Sequence, residues 1–207
     1  MAGGRIWGMK NMLYTIILSF LFSSSVFADL EAGVNAVKAG DYETAYKEFK
    51  AAAEQGDVAA QSDLGKLYYR GKGVAQDYKE AAKWFRLAAE QGYVKAQFNL
   101  ALLHKRGKGV TQDYKEAAKW YRLAAEQGDV KGQYSLGVMN AQGKGVIQNV
   151  VLAHMWFNIA VSIGDKQVME FAKENRDFAE SKMTPEQLAK AQELARECIE
   201  KNYKDCG

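Results

Sequence analysis

A segment of 36 residues recurs along this chain, and the recurrence restricts the fold more than any other feature of the sequence. Residues 77–92 read DYKEAAKWFRLAAEQG and residues 113–128 read DYKEAAKWYRLAAEQG, so the two copies differ only where Phe85 is replaced by Tyr121. The same register is kept by Trp84, Trp120 and Trp156 and by Gly56, Gly92, Gly128 and Gly164. Such a period indicates a solenoid, in which each repeat contacts only its neighbours.

The second half of each repeat has the signals of a helix. Asp77 and Glu80 have the spacing of a capping box, which satisfies the first free amides of a helix. Gly92 suits the left-handed conformation that ends one. Between them, small and bulky apolar residues recur at helical spacing: Ala81, Ala82, Trp84, Phe85, Ala88 and Ala89. This pattern predicts a helix that packs closely against its neighbours.

The first half of each repeat also predicts a helix, at 58–71, 94–107 and 130–143. Its core positions are Leu64, Leu100 and Leu136, and the points of closest contact are Gly65, Ala101 and Gly137. Because glycine inside a helix costs about 1 kcal/mol relative to alanine, its use here indicates a packing requirement.

A Gly-Lys-Gly-Val loop follows each first helix, at 71–74, 107–110 and 143–146. These loops do not follow a strand and have no G-x-x-x-x-G-K-[ST] pattern, so we do not expect phosphate binding. We expect helix stops with a solvated lysine. A second interpretation is that Lys72, Lys108 and Lys144 line one edge and attract an anionic envelope polymer.

The pattern A-x-x-x-L-G-x-x-Y, then G-x-G-V, then D-Y-x-x-A-x-x-W and A-A-x-x-G resembles the Sel-one-like repeat of the tetratricopeptide-repeat superfamily. The resemblance covers about residues 30–183. It implies an all-α fold, a right-handed α/α solenoid of helix-turn-helix repeats. It also implies a non-catalytic scaffold for protein–protein interaction, without a cofactor.

We predict four segments: a signal peptide at 1–28, a tetratricopeptide-like helix pair at 29–56, Sel-one-like repeats at 57–164, and a degenerate repeat with a capping helix at 165–207. The capping helix begins at Thr184, followed by Pro185 and, three residues after the threonine, Gln187. A terminal helix of this kind covers the last repeat, which has no further neighbour.

The first 28 residues have the organisation of a secretory leader. Lys10 precedes an apolar run at 13–22, and Val26-Phe27-Ala28 forms a small-residue cleavage site. The run is about half of the roughly twenty residues that span a bilayer as a helix. We therefore expect a mature chain from Asp29 in the bacterial periplasm or medium, with an uncleaved N-terminal anchor as the alternative.

The charge balance gives no strong field for nucleic acid. The 28 basic and 25 acidic residues become 26 and 25 once Arg5 and Lys10 leave with the leader. Two cysteines, Cys198 and Cys206, lie near the C-terminus without the partners of a zinc site. In an oxidising compartment they are predicted to form a disulfide; two free thiols are the alternative.

We do not expect this chain to be an enzyme. His104 and His154 occupy slots that other copies fill with different residues, and we interpret both as repeat variation without a catalytic or metal role. Some exported relatives, the Helicobacter cysteine-rich proteins, are linked to beta-lactam binding or hydrolysis. A serine enzyme of that kind usually carries S-x-x-K, and no serine here has lysine three residues later.

The resemblance also implies a binding face, because the first helices of tetratricopeptide units line a concave groove. We expect exposed positions there that vary between copies, among them Ser62, Lys66, Lys105 and Val138. The predicted partner-binding residues are Lys95, Phe98, Asn99, Leu102, Lys131, Tyr134 and Tyr69. Rings beside lysine and asparagine suit a protein or peptide ligand, bound by a monomer.

Overall fold

The computed structural model describes residues 30–206, which form helices, turns and loops and no strand. The helices are α1 (30–39), α2 (Tyr42–Glu54), α3 (Val58–Arg70), α4 (Tyr78–Glu90), α5 (Val94–Arg106), α6 (Tyr114–Ala125), α7 (Val130–Gln142), α8 (Val150–Ile163), α9 (Lys166–Glu180) and α10 (Pro185–Glu200). The chain divides into two compact units, unit 1 up to Asp77 and unit 2 from Tyr78.

Consecutive helices pack in sequence within each unit. In unit 1, α2 packs on α3; in unit 2, α4 packs on α5, α5 on α6, α6 on α7, α7 on α8 and α8 on α9. This is the arrangement of an α/α solenoid, and it confirms the predicted all-α fold class. The terminal helix α10 packs on α8 rather than extending the series.

Side chains cap the helices where the sequence predicts. The Asp113 carboxylate accepts hydrogen bonds from the amides of Lys115 (2.8 Å) and Glu116 (3.1 Å). At α10, the Gln187 amide donates to Thr184 Oγ1 (3.2 Å), and the Thr184 amide donates to Gln187 Oε1 (3.0 Å). The capping box at the terminal helix is therefore complete.

The predicted core positions are buried. Leu64, Leu100 and Leu136 are fully covered, and Trp120 and Trp156 are almost or fully covered. The glycine inside α7 has the packing reason that the sequence indicates. A Cβ atom added at Gly137 would lie 2.7 Å from Cε1 of Phe157, so a side chain there would push the α8 ring away.

One buried glutamine in each first helix was not identified from the sequence as structurally important. Its side-chain amide donates to a backbone carbonyl near the end of the preceding helix. The pairs are Gln61 to Ala53 (3.3 Å), Gln97 to Ala89 (3.4 Å) and Gln133 to Ala125 (3.2 Å). A buried amide is costly without a partner, so this bond fixes the register between the two helices. The sequence contains an indication of this structural role, since the position is glutamine in all three copies.

The C-terminal tail is held against unit 2. Cys198 and Cys206 form a disulfide, and both are buried. The Cys206 carbonyl accepts a hydrogen bond from Arg122 Nη1 at 3.4 Å. Trp156 lies in the same apolar cluster as the two cysteines, and Tyr203 packs against that cluster. The disulfide thus holds the end of the tail against this apolar cluster.

We expect the exported protein to contain no free thiol. Alkylation of the unfolded chain without a reductant should leave its mass unchanged, and alkylation after reduction should modify two cysteines. Because the bridge closes a short loop, replacing Cys198 and Cys206 by serine should cost about 2 kcal/mol of unfolding free energy. Two alkylated thiols in the unreduced protein would contradict the prediction.

Candidate partner-binding faces

The lysines of the Gly-Lys-Gly-Val loops lie against tyrosines at the starts of second helices. Lys72 Nζ donates to Tyr42 Oη (2.8 Å) and lies 4.2 Å from the centre of that ring. Lys108 does the same with Tyr78, at 3.1 and 4.5 Å. The prediction of a solvated lysine is therefore wrong for both residues. A cation above an aromatic face is stabilised by the ring, and this contact holds each loop in place.

The second glycine of each loop lies at a point of close approach. Gly109 has φ +70°, and a Cβ atom there would run into the backbone carbonyl of Tyr78. The same relation joins Gly73 to Tyr42 and Gly145 to Tyr114. Each loop therefore forms a joint to the second helix of the preceding repeat, and only glycine fits both the conformation and the space.

Four of the predicted binding residues share one face of α5. Lys95, Phe98, Asn99 and Leu102 have the spacing i, i+3, i+4 and i+7, which places them along one side of a helix. Lys95 is exposed, and the other three are partly buried. On α7, Lys131 is exposed and Tyr134 is partly buried three residues later. We call these six residues the α5–α7 face.

The two rings of this face are held by aromatic contacts. The ring of Phe98 lies 5.5 Å from that of Tyr121, and the ring of Tyr134 lies 5.8 Å from that of Phe157, centre to centre. Asn175 Nδ2 donates to Tyr134 Oη at 3.2 Å. Burial raises the pKa of Tyr134 above its ordinary value.

Ser62 was expected to be exposed in the same slot as Phe98 and Tyr134, and this expectation is wrong. Ser62 is fully buried. The slot lies at the edge of a helix–helix contact, where a large ring reaches solvent and a short side chain is covered. Tyr69, on α3 of unit 1, is partly buried, and its carbonyl accepts a hydrogen bond from Gln76 Nε2 at 2.9 Å.

The two histidines lie apart, on α5 and α8. Both are buried, and burial lowers the pKa of each. Arg86 Nη2 lies 3.4 Å from His104 Nε2, and a Glu180 oxygen lies 3.6 Å from His154 Nε2. No cluster of three or more His, Cys, Asp or Glu side chains suited to a metal ion occurs in residues 30–206.

The helix pairs recur with a period of 36 residues, and the loop of each pair packs against the second helix of the preceding repeat. This arrangement defines an α/α repeat scaffold. Such scaffolds generally mediate protein interactions and are typically non-catalytic. Four consecutive segments match the Sel1 repeat, at residues 30–57, 58–93, 94–129 and 130–165. The chain therefore belongs to the Sel1 repeat family. Among residues 30–206, no helix combines the length and apolar character needed to cross a membrane.

Two solved structures show the same fold. One is c5321, a protective antigen of uropathogenic Escherichia coli strains with an SLR fold, at 38% identity and TM-score 0.71 over 79% of this chain. The match covers 34% of c5321, so the chain spans about a third of that protein. The other is a Sel1 repeat protein from Oxalobacter formigenes, at 31% identity and TM-score 0.63, covering 80% of this chain and 74% of that one. No curated protein matches the chain.

Proposed function

We propose that this Sel1 repeat scaffold binds a protein or peptide partner through the α5–α7 face. The observation that carries the proposal is the pairing on each helix of a ring held by internal contacts with an exposed lysine. Phe98 and Tyr134 each pack on another ring, and Lys95 and Lys131 stand three residues before them.

This arrangement suits recognition for energetic reasons. A ring that is already fixed by Tyr121 or Phe157 loses little conformational entropy when a partner covers its remaining surface. Aromatic side chains also supply much apolar area per residue, whereas lysine adds charge that orients the ligand. Asn99 and Leu102 complete the face with a hydrogen-bonding group and an apolar contact.

Comparison of the repeats supports the same face. The packing residues Leu100 and Leu136 are identical between copies, as are the buried glutamines before them. The face itself changes, with Leu102 in one copy where the next has Val138. Positions that vary on one side of otherwise similar helices are those that packing leaves free.

We further propose that the protein works outside the cytoplasm as a monomer, in the periplasm or medium of a bacterium. The leader-like sequence before Asp29 and the Cys198–Cys206 disulfide support this location, because disulfides persist in oxidising compartments. N-terminal sequencing of the exported form should give Asp29 as the first residue. A start upstream of Leu21 would contradict cleavage.

The partner can be identified by site-specific crosslinking. A photoreactive amino acid at Lys95 or Lys131 should crosslink a partner in the envelope fraction. The same group at Lys83, which is exposed on α4, is the matched control. A band that appears equally from Lys83 would argue against a localised binding face.

Truncation of the two rings should then weaken binding of the crosslinked partner. Phe98→Ala and Tyr134→Ala should each lose at least about 2 kcal/mol of binding free energy, the range of aromatic hot spots. Calorimetry measures the affinity, and circular dichroism checks that both variants fold. Unchanged affinity in both, with loss instead on replacing Lys72, Lys108 and Lys144, would move the site to the loop edge and favour the anionic-polymer alternative.

The beta-lactam alternative needs a separate assay. The purified protein should not hydrolyse a chromogenic beta-lactam above the rate of the buffer, because no serine has the S-x-x-K arrangement. Turnover that disappears on replacing one particular serine would overturn the scaffold proposal in favour of an enzyme.

A further inference from the structure

Unit 1 contains a cleft of about 220 Å³ that the proposed function does not use. Its apolar surface is formed by Val34 and Val37 of α1, Phe49 of α2 and Leu67 of α3. Phe49 and Leu67 are buried, whereas Val37 leaves 37% of its surface exposed. The cleft therefore has a partly exposed apolar side at Val37 and a buried apolar base at Phe49 and Leu67. Its volume can hold one side chain of a ligand.

The rim of this cleft is basic. The charged residues that line it are Lys38, Lys66, Arg70, Lys72 and Asp63. Lys66 Nζ is paired with the Asp63 carboxylate at 2.7 Å. Lys38 and Arg70 are exposed and have no ion-pair partner among residues 30–206, and Lys72 Nζ donates to the Tyr42 hydroxyl. Three positive charges at the cleft are thus without a negative counterpart.

Two ionic residues of the cleft, Asp63 and Lys66, occur only in the first part of the chain. The slot of Lys66 is filled by Leu102 and Val138 in the following repeats, and the slot of Asp63 by Asn99 and Ser135. At these two slots α3 is therefore ionic, whereas α5 and α7 have apolar or neutral residues.

We propose that this cleft binds an acidic peptide segment of a partner protein, with one apolar side chain placed on Phe49 and Leu67 and carboxylates beside the rim. The rim cations lie on separate elements: Lys38 on α1, Arg70 at the end of α3 and Lys72 in the following loop. Several carboxylates spaced along a chain match this distribution, whereas a fatty acid supplies a single one. Opposite charges at a partly apolar surface attract more strongly than in bulk water.

The first test uses peptide pools and the complete purified chain. One pool contains nonapeptides with Leu, Ile or Phe at the centre and Asp or Glu at the other positions; the matched pool has Asn or Gln instead. Methyl NMR signals of Val34, Val37 and Leu67 should shift with the acidic pool, with at least tenfold weaker binding of the neutral pool. Binding of the acidic pool should also weaken as salt is raised.

Charge reversal assigns the binding to the cleft. Lys38→Glu combined with Arg70→Glu should weaken binding of the acidic pool at least tenfold. The control, Lys166→Glu combined with Lys173→Glu on α9 of unit 2, should leave it within twofold. Both pairs of positions are exposed, so both variants should fold with unchanged helicity.

Three results would overturn the proposal. The first is equal binding of the acidic and neutral pools, and the second is an equal loss of affinity for the acidic pool in the control variant. The third is the absence of a methyl shift with the acidic pool at millimolar concentration, whether or not decanoate shifts the same signals. The proposed function at the α5–α7 face depends on different residues. Its failure would appear as unchanged partner affinity in Phe98→Ala and Tyr134→Ala, whatever the cleft binds.

Discussion

Replacing Trp120 by alanine is expected to lower the free energy of unfolding by about 3–5 kcal/mol, the usual cost of truncating a buried large aromatic. Trp120 is only 6% exposed and lies on α6, which packs on both α5 and α7. Because a solenoid repeat is stabilised by its neighbours, a cavity in this central helix weakens the contacts on both sides. The loss should therefore lower the cooperativity of unfolding as well as the midpoint.

Urea denaturation followed by circular dichroism measures this effect, with Leu87→Ala as the control. Leu87 is also apolar and in unit 2, but 40% of its surface is exposed on α4. Its truncation should cost about 1 kcal/mol or less, because little apolar area is lost from the core. Wild-type stability in Trp120→Ala would contradict the structural role of the tryptophan.

Gly109→Ala is expected to have the second-largest effect. The left-handed backbone at φ +70° costs a side-chain-bearing residue about 1–2 kcal/mol. The added Cβ would also meet the backbone carbonyl of Tyr78, which cannot rotate away as a flexible side chain would. Forcing an extra carbon into a packed joint costs about 1–3 kcal/mol more.

Gly92→Ala separates these two contributions. Gly92 has φ +87°, yet a Cβ added there would have no atom within 4 Å. The alanine variant should therefore show the conformational cost alone. If urea denaturation gave the same free energy of unfolding for Gly109→Ala and Gly92→Ala, the contact with Tyr78 would not contribute to the cost of the Gly109 substitution.

The sequence predicted the elements of the fold because local and long-range signals agree in each repeat. Asp113 caps α6, the leucine slots are buried, and Thr184 with Gln187 closes the start of the terminal helix. These features depend on short spacings along one helix. A period read from the sequence captures such spacings directly.

Contacts between repeats were harder to predict. The ring of Tyr42 that receives Lys72 lies 30 residues earlier, and no local pattern indicates that pairing. Ser62 was misplaced for a related reason, since its slot was inferred from the larger residues Phe98 and Tyr134. The exposure of a slot at a helix–helix edge depends on side-chain length as well as on position.

The basic cleft of unit 1 was also absent from the sequence interpretation. Lys38, Arg70 and Lys72 are separated along the chain and come together only where α1, α3 and the following loop line one cleft. No periodicity relates them, because α1 belongs to a helix pair with a shorter connection. Charge counted over the whole chain conceals such a local excess.

The joint between each loop and the preceding repeat has a consequence for how this chain can change in length. Gly109 meets Tyr78 and Gly145 meets Tyr114 across the same interval of 31 residues. If residues 94–129 were deleted, Gly145 would face Tyr78 and the joint would be rebuilt from identical residue types. Gain or loss of a whole 36-residue period therefore preserves the joint, whereas a deletion of another length between Tyr78 and Gly109 would move the glycine out of register with that carbonyl.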